Sequence, residues 1–503
     1  MSREAITALA ALLVCVLTLA VGSFGLRISR TTSDFYVASR TVGPATNAAA
    51  ISGEYLSAAS FLGVAGLVMA RGVDMLWYPV GWTAGYLVLL LFVAAPLRRS
   101  RAYTLPDFAE FRLESQPART LASALGVLIA VLYLIPQFQG AGLTVHTLTG
   151  APSWVGATAV ALVVLLGVVA GGMRSITLVQ AVQYWLKLAA LLTPLAFLLL
   201  HHGGGAAGAA ARLDATDWVE PMRGPHSLYL TYSLILATFL GTMGLPHVVV
   251  RFYTNRDGYA ARRTTVAVLG LLSAFYLLPP VYGVLGRRYL STISAGDPSD
   301  TAVLDLPGHV LHGTVADLLT AVLAAGAFAA FLSTSSGLVL SIAGVIGQDV
   351  LGRRFSGVAA FRISAAFGAL ATLALTVLST GLAVAHSVEL AFAVAASTFC
   401  PMLLLGIWWP GLTAAGAITG MSVGGTLSTA AVMVALFGHS YGGLGGAVLS
   451  QPALLTVPLA FATMVLVSVA TTQPAHVART MVRLHTPEAV AVDRGAFRPR
   501  NAD

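Results

Sequence analysis

Four hydroxyl side chains follow one another inside an apolar segment of the sequence. Ser333, Thr334, Ser335 and Ser336 come directly after Ala330-Phe-Leu. Helical spacing would place the hydroxyls of Ser333 and Thr334 beside the carbonyl of Ala330, three and four residues earlier. Uncharged oxygen ligands of this kind suit a hard monovalent cation. The alternative is that the hydroxyls simply donate to carbonyls of their own helix.

Two other apolar segments contain residues that interrupt helices. The stretch from Ala48 to Gly63 contains glycines, serines and the acid Glu54, and the stretch from Phe239 to His247 contains two glycines and Pro246. A proline inside a helix removes a backbone hydrogen bond. Carbonyls freed at such breaks can coordinate a cation, and the N-terminal end of a half-helix can face an anion. Close packing of small residues between helices is the alternative explanation.

The composition indicates what kind of protein holds these segments. Of 503 residues, 57% are hydrophobic and only 10% are charged, against about 25% charged in ordinary soluble domains. Mean hydropathy is +0.83, and the apolar residues form runs of about twenty, the length of a membrane helix. The sequence therefore predicts an all-α polytopic membrane protein, and it excludes a soluble enzyme, a disordered chain and a coiled coil.

Thirteen apolar segments are predicted to cross the membrane. Of the 27 arginines, 21 fall on one side if the N-terminus is outside and the C-terminus is cytoplasmic, and the positive-inside rule favours that orientation. The basic net charge is thus a topology signal, and no nucleic-acid partner is predicted. The segments lie at about 5–25, 43–70, 74–97, 120–147, 152–171, 175–201, 226–252, 264–286, 314–348, 358–384, 386–408, 411–437 and 451–471.

These segments predict one membrane domain, residues 1–471, in the plasma membrane (the inner membrane of a bacterium). The first segment is interpreted as a retained helix rather than a signal peptide, because its apolar run is long. The polar cytoplasmic tail, 472–503, is expected to be loosely ordered. The lipid bilayer is a predicted partner, and the sequence leaves the oligomeric state open.

The only lysine, Lys187, lies within the sixth segment. Gln180, Gln183, Tyr184 and Lys187 share one helical face. A lysine at the membrane centre costs about 2.5–3.5 kcal/mol on insertion scales, so we expect it to face the protein interior and to have a partner. The alternative is that the side chain extends toward an interface.

Several of these motifs together resemble the sodium:solute symporter family, in particular its cation/acetate branch. Single motifs are weak, whereas their order and spacing over about residues 33–410 are specific. They are Ser33-Asp-Phe-Tyr, Ile51 to Gly63, Tyr103-Thr-Leu-Pro-Asp-Phe108, Tyr133-Leu-Ile-Pro-Gln137 with Gly140-Ala-Gly142, Gly171-Gly-Met173, Gly241 to His247 with Arg251-Phe252, Ser333-Thr334 and Gln348-Asp-Val350.

The resemblance implies a LeuT-type fold of two inverted five-helix repeats over about 43–408, and symport driven by a cation gradient. It implies a sodium site made by the carbonyls of Gly53, Leu56 and Ala330 and the hydroxyls of Ser333 and Thr334. No organic cofactor is implied. In this family an acid often occupies the position of Gln180, on the sodium exit path. In some LeuT-type transporters a lysine at the position of Lys187 replaces sodium and couples protons. Sodium is the first prediction and protons the alternative, with Gln180, Lys187 and Glu54 on the coupling or ion path.

The resemblance also implies a small monocarboxylate substrate, such as acetate, propionate or pyruvate, taken up by alternating access. Another small solute, such as an amino acid or a vitamin, is the alternative. Arg251 is predicted to be a topology or gate residue, and His247 to make a structural hydrogen bond. The predicted substrate contacts are hydroxyl and amide side chains near the two breaks and on the tenth core helix: Ser57, Ser60, Tyr133, Gln137, Thr242, Ser397 and Thr398.

Two other functional classes compete with transport. A sensor with the same fold would usually carry an appended signalling domain, and the short tail argues against one. A membrane enzyme would need a catalytic set within the bilayer, and Glu54 is the only acid that we place deep in a segment. We therefore predict a transporter and not an enzyme.

Overall fold

The computed structural model describes residues 3–28, 31–38, 41–200, 216–222, 226–290, 299–352, 354–378, 384–437, 442–488 and 490. Every regular element within these ranges is a helix. The first two hundred residues form α1 (Arg3–Ile28), α2 (Thr32–Val37), α3 (Pro44–Tyr55), α4 (Val64–Arg71), α5 (Trp77–Val88), α6 (Ala94–Arg99), α7 (Leu105–Leu113), α8 (Gln116–Thr149) and α9 (Ser153–Leu200).

The later described residues continue the helical pattern. They form α10 (Thr216–Val219), α11 (Ser227–Gly244), α12 (Pro246–Val250), α13 (Gly258–Tyr276), α14 (Leu278–Tyr289), α15 (Ala302–Val310), α16 (Thr314–Ile346), α17 (Gly357–Leu378), α18 (Val384–Trp408), α19 (Ala414–Phe437), α20 (Gly443–Ser450), α21 (Ala453–Val469) and α22 (Val477–His485). Short π or 3-10 turns join several of them, at Ala59–Gly63, Gly72–Leu76, Leu89–Val93, Arg251–Thr254, Ser299–Thr301 and Gly347–Leu351.

The described residues contain ten helical units that are long and apolar enough to cross a membrane, and α20 with α21, bent by 67°, makes an eleventh. Two units greatly exceed the roughly 20 residues that one crossing needs. Ala59–Arg99 has 41 residues and Ser153–Leu200 has 48. Glycines with positive φ interrupt both, Gly72 at 80° and Gly172 at 56°. Divided there, the units correspond to the thirteen segments expected from the sequence.

The helix that α3 begins is interrupted where the sequence predicts. α3 ends at Tyr55, and Leu56 leaves the helical region with ψ 85°. The backbone N–H of Ala58 is satisfied by Oε1 of Gln137 on α8, at 3.0 Å. A polar side chain from a neighbouring helix therefore replaces the helical hydrogen bond that the break removes.

A second interruption separates α11 from α12. α11 ends at Gly244, Leu245 is extended with ψ 118°, and Pro246 opens α12. The residue before a proline is disfavoured in the helical region, and proline is well suited to a first helical position because it has no N–H to satisfy. The local sequence thus accounts for both the break and the restart.

The buried core is centred on α9 and α16. α9 packs most extensively against α16, α1 and α3, whereas α11 packs against α18 and α5. α1 is held in place by polar contacts as well. Gln183 Nε2 donates to Thr18 Oγ1 at 3.0 Å, and Ser175 Oγ donates to the Gly22 carbonyl at 2.8 Å. The first helix is therefore an integral part of the bundle.

The beginning of the tail is more ordered than the sequence suggested. Residues Val477–His485 form α22. Arg99 Nη1 donates to the carbonyls of Leu484 and His485 at 3.2 and 3.3 Å, and Glu488 accepts from the Gly258 backbone at 2.8 Å. These contacts attach the helix to the ends of α6 and α13. The expectation of a loose tail is thus wrong for this part, and residues 491–503 lie outside the described residues.

Candidate ion and substrate site

The ammonium group of Lys187 lies at the break after α3. Its Nζ donates to the carbonyls of Gly53 and Leu56, the latter at 2.7 Å, and to Ser333 Oγ at 2.9 Å. These three oxygens belong to the predicted cation site. An ammonium group has three N–H donors and no acceptor, and here three oxygens receive them. The lysine side chain itself is fully buried.

Close packing of α3 on α9 lets the lysine reach these oxygens. A Cβ at Gly53 would collide with the backbone carbonyl of Gln180 on α9, so only glycine allows the two helices to approach this closely. Tyr184, on the same face of α9, donates its hydroxyl to the Leu271 carbonyl at 2.9 Å. Lys187 therefore faces the interior and has partners, and it does not extend toward an interface.

The two other predicted cation ligands, the Ala330 carbonyl and the Thr334 hydroxyl, take part in other hydrogen bonds. Ser333 Oγ donates to the Ala330 carbonyl at 3.0 Å. Thr334 Oγ1 donates to the Glu54 carbonyl at 2.6 Å, which joins α16 to α3. Ser336 donates to a carbonyl of its own helix, Leu332, at 2.7 Å. Within this run of hydroxyls, Ser333 and Thr334 therefore contact groups at the predicted cation site, whereas Ser336 donates to its own helix.

A buried ion pair adjoins this site. Arg251 Nε contacts Glu54 Oε2 at 2.5 Å, and the two side chains are only 1% and 3% exposed. The guanidinium group also donates to Thr177 Oγ1 at 2.8 Å and to Gln180 Oε1. Gln180 Nε2 in turn donates to the Ser333 carbonyl at 2.7 Å. One chain of hydrogen bonds therefore connects Arg251 to the surroundings of Lys187.

Arg251 has a different setting from the one expected of a topology residue at a helix end. The prediction relied on its position after the apolar run, whereas the 3-10 turn Arg251–Thr254 directs its side chain back among α3 and α9. Buried charges are tolerated in proteins when they are paired and hydrogen-bonded. Glu54 provides the opposite charge, and the hydroxyl of Thr177 and the amide oxygen of Gln180 each accept one further hydrogen bond.

An aromatic cluster surrounds the two breaks on the other side of α3. The ring centroids of Tyr55 and Tyr86 are 4.8 Å apart, those of Trp82 and Phe392 are 5.9 Å apart, and those of Tyr133 and Phe392 are 5.8 Å apart. The Tyr55 hydroxyl lies 2.8 Å from the hydroxyl of Thr242 on α11, which also donates to its own helix. The cluster thus brings together α3, α5, α8, α11 and α18.

Several polar atoms in or beside this cluster have no protein partner. Trp82 Nε1, the Tyr86 hydroxyl and both ring nitrogens of His247 are buried without a hydrogen bond to any described residue. The ring of His247 lies against Tyr133, with centroids 5.1 Å apart, so the expected structural hydrogen bond does not form within the described part of the chain. Because buried polar groups usually have partners, these atoms are candidates to bind a small polar ligand.

The predicted substrate residues divide into two groups. Ser57 and Tyr133 lie beside each other, Thr242 meets Tyr55, and Ser60 contacts the Tyr276 hydroxyl at 2.8 Å. The side-chain oxygen of Gln137 accepts the hydrogen bond from the Ala58 backbone N–H at the break after α3. The structure does not bring Ser397 and Thr398 to the cluster. Ser397 contacts Thr456 Oγ1 on α21 at 2.7 Å, and the Thr398 methyl group lies near Gly425 on α19.

Trp82 and Tyr86, whose buried polar atoms have no described partner, were not predicted as ligand-binding residues from the sequence. With Tyr78 they occupy every fourth position of α5, and such a stripe lies on one helical face. An aromatic stripe on a helix usually indicates core packing, so the pattern alone does not predict a ligand site. Among the described residues, no group of three or more His, Cys, Asp and Glu side chains could hold a metal ion.

Comparisons with known proteins agree with this architecture. A family model described as the sodium:solute symporter family matches residues 35–424. The uncharacterized symporter YwcA of Bacillus subtilis is 33% identical over 469 residues, covering 88% of this chain and 90% of that protein. A monocarboxylic acid transporter of Corynebacterium glutamicum is 32% identical over 483 residues, covering 87% of this chain and 86% of that one.

Solved structures of low sequence identity share the fold. A Na⁺-coupled sialic acid symporter in an outward-open state has a TM-score of 0.72 at 14% identity, over 93% of this chain and 98% of that one. The nucleobase-cation-symport-1 transporter Mhp1 scores 0.58 at 13% identity, over 89% and 98%. MhsT in complex with L-phenylalanine scores 0.56 at 15% identity, over 84% and 98%. The all-helical LeuT-type fold is thereby confirmed, and the chain belongs to the sodium:solute symporter family of membrane transporters.

Proposed function

We propose that this protein imports a small monocarboxylate together with a proton, and that Lys187 carries the proton at the position where relatives of this fold bind a cation. The observation that carries the proposal is the position of the Lys187 ammonium, which donates to Gly53, Leu56 and Ser333. A solute symporter function follows from the family, and the proton and the monocarboxylate are the proposed details.

The ammonium group and a sodium ion would compete for the same oxygens. The carbonyls of Gly53 and Leu56 and the hydroxyl of Ser333 all accept from Nζ. A sodium ion at this place would need the same lone pairs, and it would lie next to a positive charge. The neighbouring acid, Glu54, already has a partner in Arg251. The geometry therefore favours the Lys187 amine as the occupant of this position, charged when it holds a proton and neutral when it has released it.

Protonation of Lys187 would couple to the movement of helices. The protonated form joins the break after α3 to α16 through Ser333 and to its own helix, α9. The neutral amine retains fewer donors and no charge, so it would hold these elements less firmly. A proton therefore favours the conformation in which the lysine is bound, and its release favours the alternative conformation. In LeuT-type transporters the two conformations expose the site to opposite sides.

The unpartnered donors support an anionic substrate. Trp82 Nε1 and the Tyr86 hydroxyl are buried in the aromatic cluster without a described partner, and a carboxylate oxygen is a strong acceptor for such groups. The rings around them pack against one another, with centroids 4.8–5.9 Å apart, so a bulky solute would have to separate them. The relative from Corynebacterium glutamicum, a monocarboxylic acid transporter by name, supports the same substrate class.

Sodium coupling is the second candidate, and family membership favours it. The oxygens implied for sodium by the resemblance are all present, including the hydroxyls of Ser333 and Thr334. For sodium to bind there, the Lys187 side chain must first leave Gly53, Leu56 and Ser333. The two candidates therefore differ in what removal of the lysine amine does to uptake.

Uptake of radiolabelled acetate, propionate and pyruvate into proteoliposomes tests the proposal. We expect accumulation under an imposed proton gradient, independent of sodium, and its loss in Lys187→Ala. Gln183→Ala is the matched control, because Gln183 lies on the same face of α9 and contacts Thr18 instead of the site. Sodium-dependent uptake that persists in Lys187→Ala would refute proton coupling. No uptake of any of the three acids would refute the substrate class, and amino acids and vitamins would be tested next.

A further inference from the structure

A second cluster of titratable groups lies at the start of α18, on the side predicted to be outside. The Tyr78 hydroxyl donates to Glu389 Oε2, and His386 Nδ1 lies 3.3 Å from the same oxygen. The Glu389 side chain is 1% exposed, whereas that of His386 is 26% exposed. The histidine thus connects a buried carboxyl group to solvent.

The carboxyl group of Glu389 is only partly satisfied. Its other oxygen, Oε1, is buried and accepts no hydrogen bond from any residue in the described ranges. An ionised carboxylate has two oxygens that both need donors, and a buried one without them is disfavoured. Protonation replaces the buried charge with a neutral O–H group. The partly satisfied Glu389 carboxyl is therefore the group in this cluster whose charge a proton would remove.

Two other charged residues of the described ranges lie near this cluster. Arg71, exposed at the end of α4, interacts electrostatically with Tyr78, and Asp300 accepts from the Val384 backbone at 2.9 Å at the start of α18. The helices α11, α19 and α21, which pack against α18, contain no Asp, Glu, Lys, Arg or His. From α8, Tyr133 contacts Phe392 one turn further along. Glu389 and His386 are thus the two titratable side chains of α18 that contact each other in the described part of this cluster.

The cluster lies directly next to the proposed substrate site. Tyr78 packs against Trp82 one helical turn later, with ring centroids 5.4 Å apart. Glu389 precedes Phe392 by one turn of α18, and Phe392 packs against Trp82. An anion approaching Trp82 from the predicted outer side therefore comes close to the Glu389 carboxyl. Two like charges repel strongly in a buried environment.

We infer that Tyr78, His386 and Glu389 form an external proton-binding site that must be protonated before an anionic substrate can occupy the aromatic cluster. The proton comes from the outer solution, reaches the partly exposed imidazole of His386 and passes to the Glu389 carboxylate, whose charge changes from −1 to zero. This inference rests on the proposed monocarboxylate substrate. It is distinct from the role of Lys187, since it concerns entry of the substrate and not the driving ion.

The dependence of KM on external pH tests the inference in right-side-out vesicles with a fixed internal pH. When binding requires one proton, KM rises about tenfold per pH unit above the midpoint. We expect Glu389→Gln to lower the slope of log KM against external pH by about one, with little change in the maximal rate. Asp300→Asn tests the assignment, because Asp300 is the other buried acid at this end of α18 and also has one unpartnered oxygen. A slope equal to that of the wild type supports Glu389, whereas a slope that falls in Asp300→Asn instead of Glu389→Gln would overturn the inference.

Each outcome has a definite meaning. An unchanged slope in Glu389→Gln would overturn the inference, whereas absence of wild-type acetate, propionate and pyruvate uptake would refute the proposed function instead. If Glu389→Gln does not reach the membrane, Tyr78→Phe provides the second test. It removes the donor to Oε2 and leaves the carboxyl, so the pH midpoint must move while the slope is kept. A midpoint and a slope that both equal the wild-type values would again overturn the inference.

Discussion

Breaking the buried ion pair between Glu54 and Arg251 is expected to destabilise the protein by about 3–5 kcal/mol. The two side chains are 3% and 1% exposed and lie 2.5 Å apart, so removal of either charge leaves the other buried without compensation. Glu54→Gln and Arg251→Met remove the charges one at a time. The free energy of unfolding in mixed micelles, followed by circular dichroism, measures the cost.

The double variant measures the interaction free energy of the pair apart from the contacts of each side chain with its surroundings. We expect Glu54→Gln with Arg251→Met to be less destabilised than the sum of the single variants, with a coupling free energy of about 2–3 kcal/mol. The pair Asp34 and Arg174 is the control. Its atoms are 3.0 Å apart, but the arginine side chain is 37% exposed, and such pairs typically contribute less than about 1 kcal/mol.

Equally small coupling free energies for the two pairs would refute the expected cost of breaking the buried ion pair. That result would mean that water or another charge compensates Glu54 and Arg251 after either substitution. The hydrogen bonds from Arg251 to Thr177 and Gln180 would then be only a packing feature.

Further predictions concern the substrate, the helix contact and the topology. Trp82→Phe keeps an aromatic ring at this position but removes Nε1–H, so we expect KM for the transported acid to rise about 10- to 100-fold, the value of one hydrogen bond to a charged group. Ser397→Ala should leave KM unchanged, because that hydroxyl contacts α21. Gly53→Ala should prevent correct folding, because the added Cβ collides with α9, and the variant should lose the monodisperse peak in size-exclusion chromatography. Gly43→Ala should keep that peak, because a Cβ there meets open space. A tag on the C-terminus should be accessible only from the cytoplasm, and labelling from outside would contradict the predicted orientation.

Much of the fold could be predicted because its signals are local. Apolar runs give the membrane crossings, and glycine and proline mark the breaks after Tyr55 and Gly244. The hydroxyls of Ser333 and Thr334 attracted attention because they are unusual within an apolar helix. These features depend only on neighbours in the sequence and on properties of the bilayer. None of them requires knowledge of how distant helices meet.

The details of the site depend on how helices are rotated against each other, which periodicity does not give. The helical face of Lys187 could be read from the sequence, but its partners, the carbonyls of Gly53 and Leu56, are more than 130 residues away. For the same reason the sequence places Arg251 only near a helix end, and it predicts a substrate contact for Ser397, whose hydroxyl contacts α21. Trp82 and Tyr86 were missed because their type fits a packed core equally well.

The attachment of Lys187 to α9 has a consequence for the conditions under which the transporter operates. A dissolved ion occupies its site according to its concentration in the medium, whereas a side chain on a short tether has an effective concentration in the millimolar range or above that does not vary with the medium. The occupant of the oxygens of Gly53, Leu56 and Ser333 is thus supplied by the polypeptide itself. Only its protonation depends on the surroundings, so a transporter built in this way would keep working where dissolved sodium is scarce.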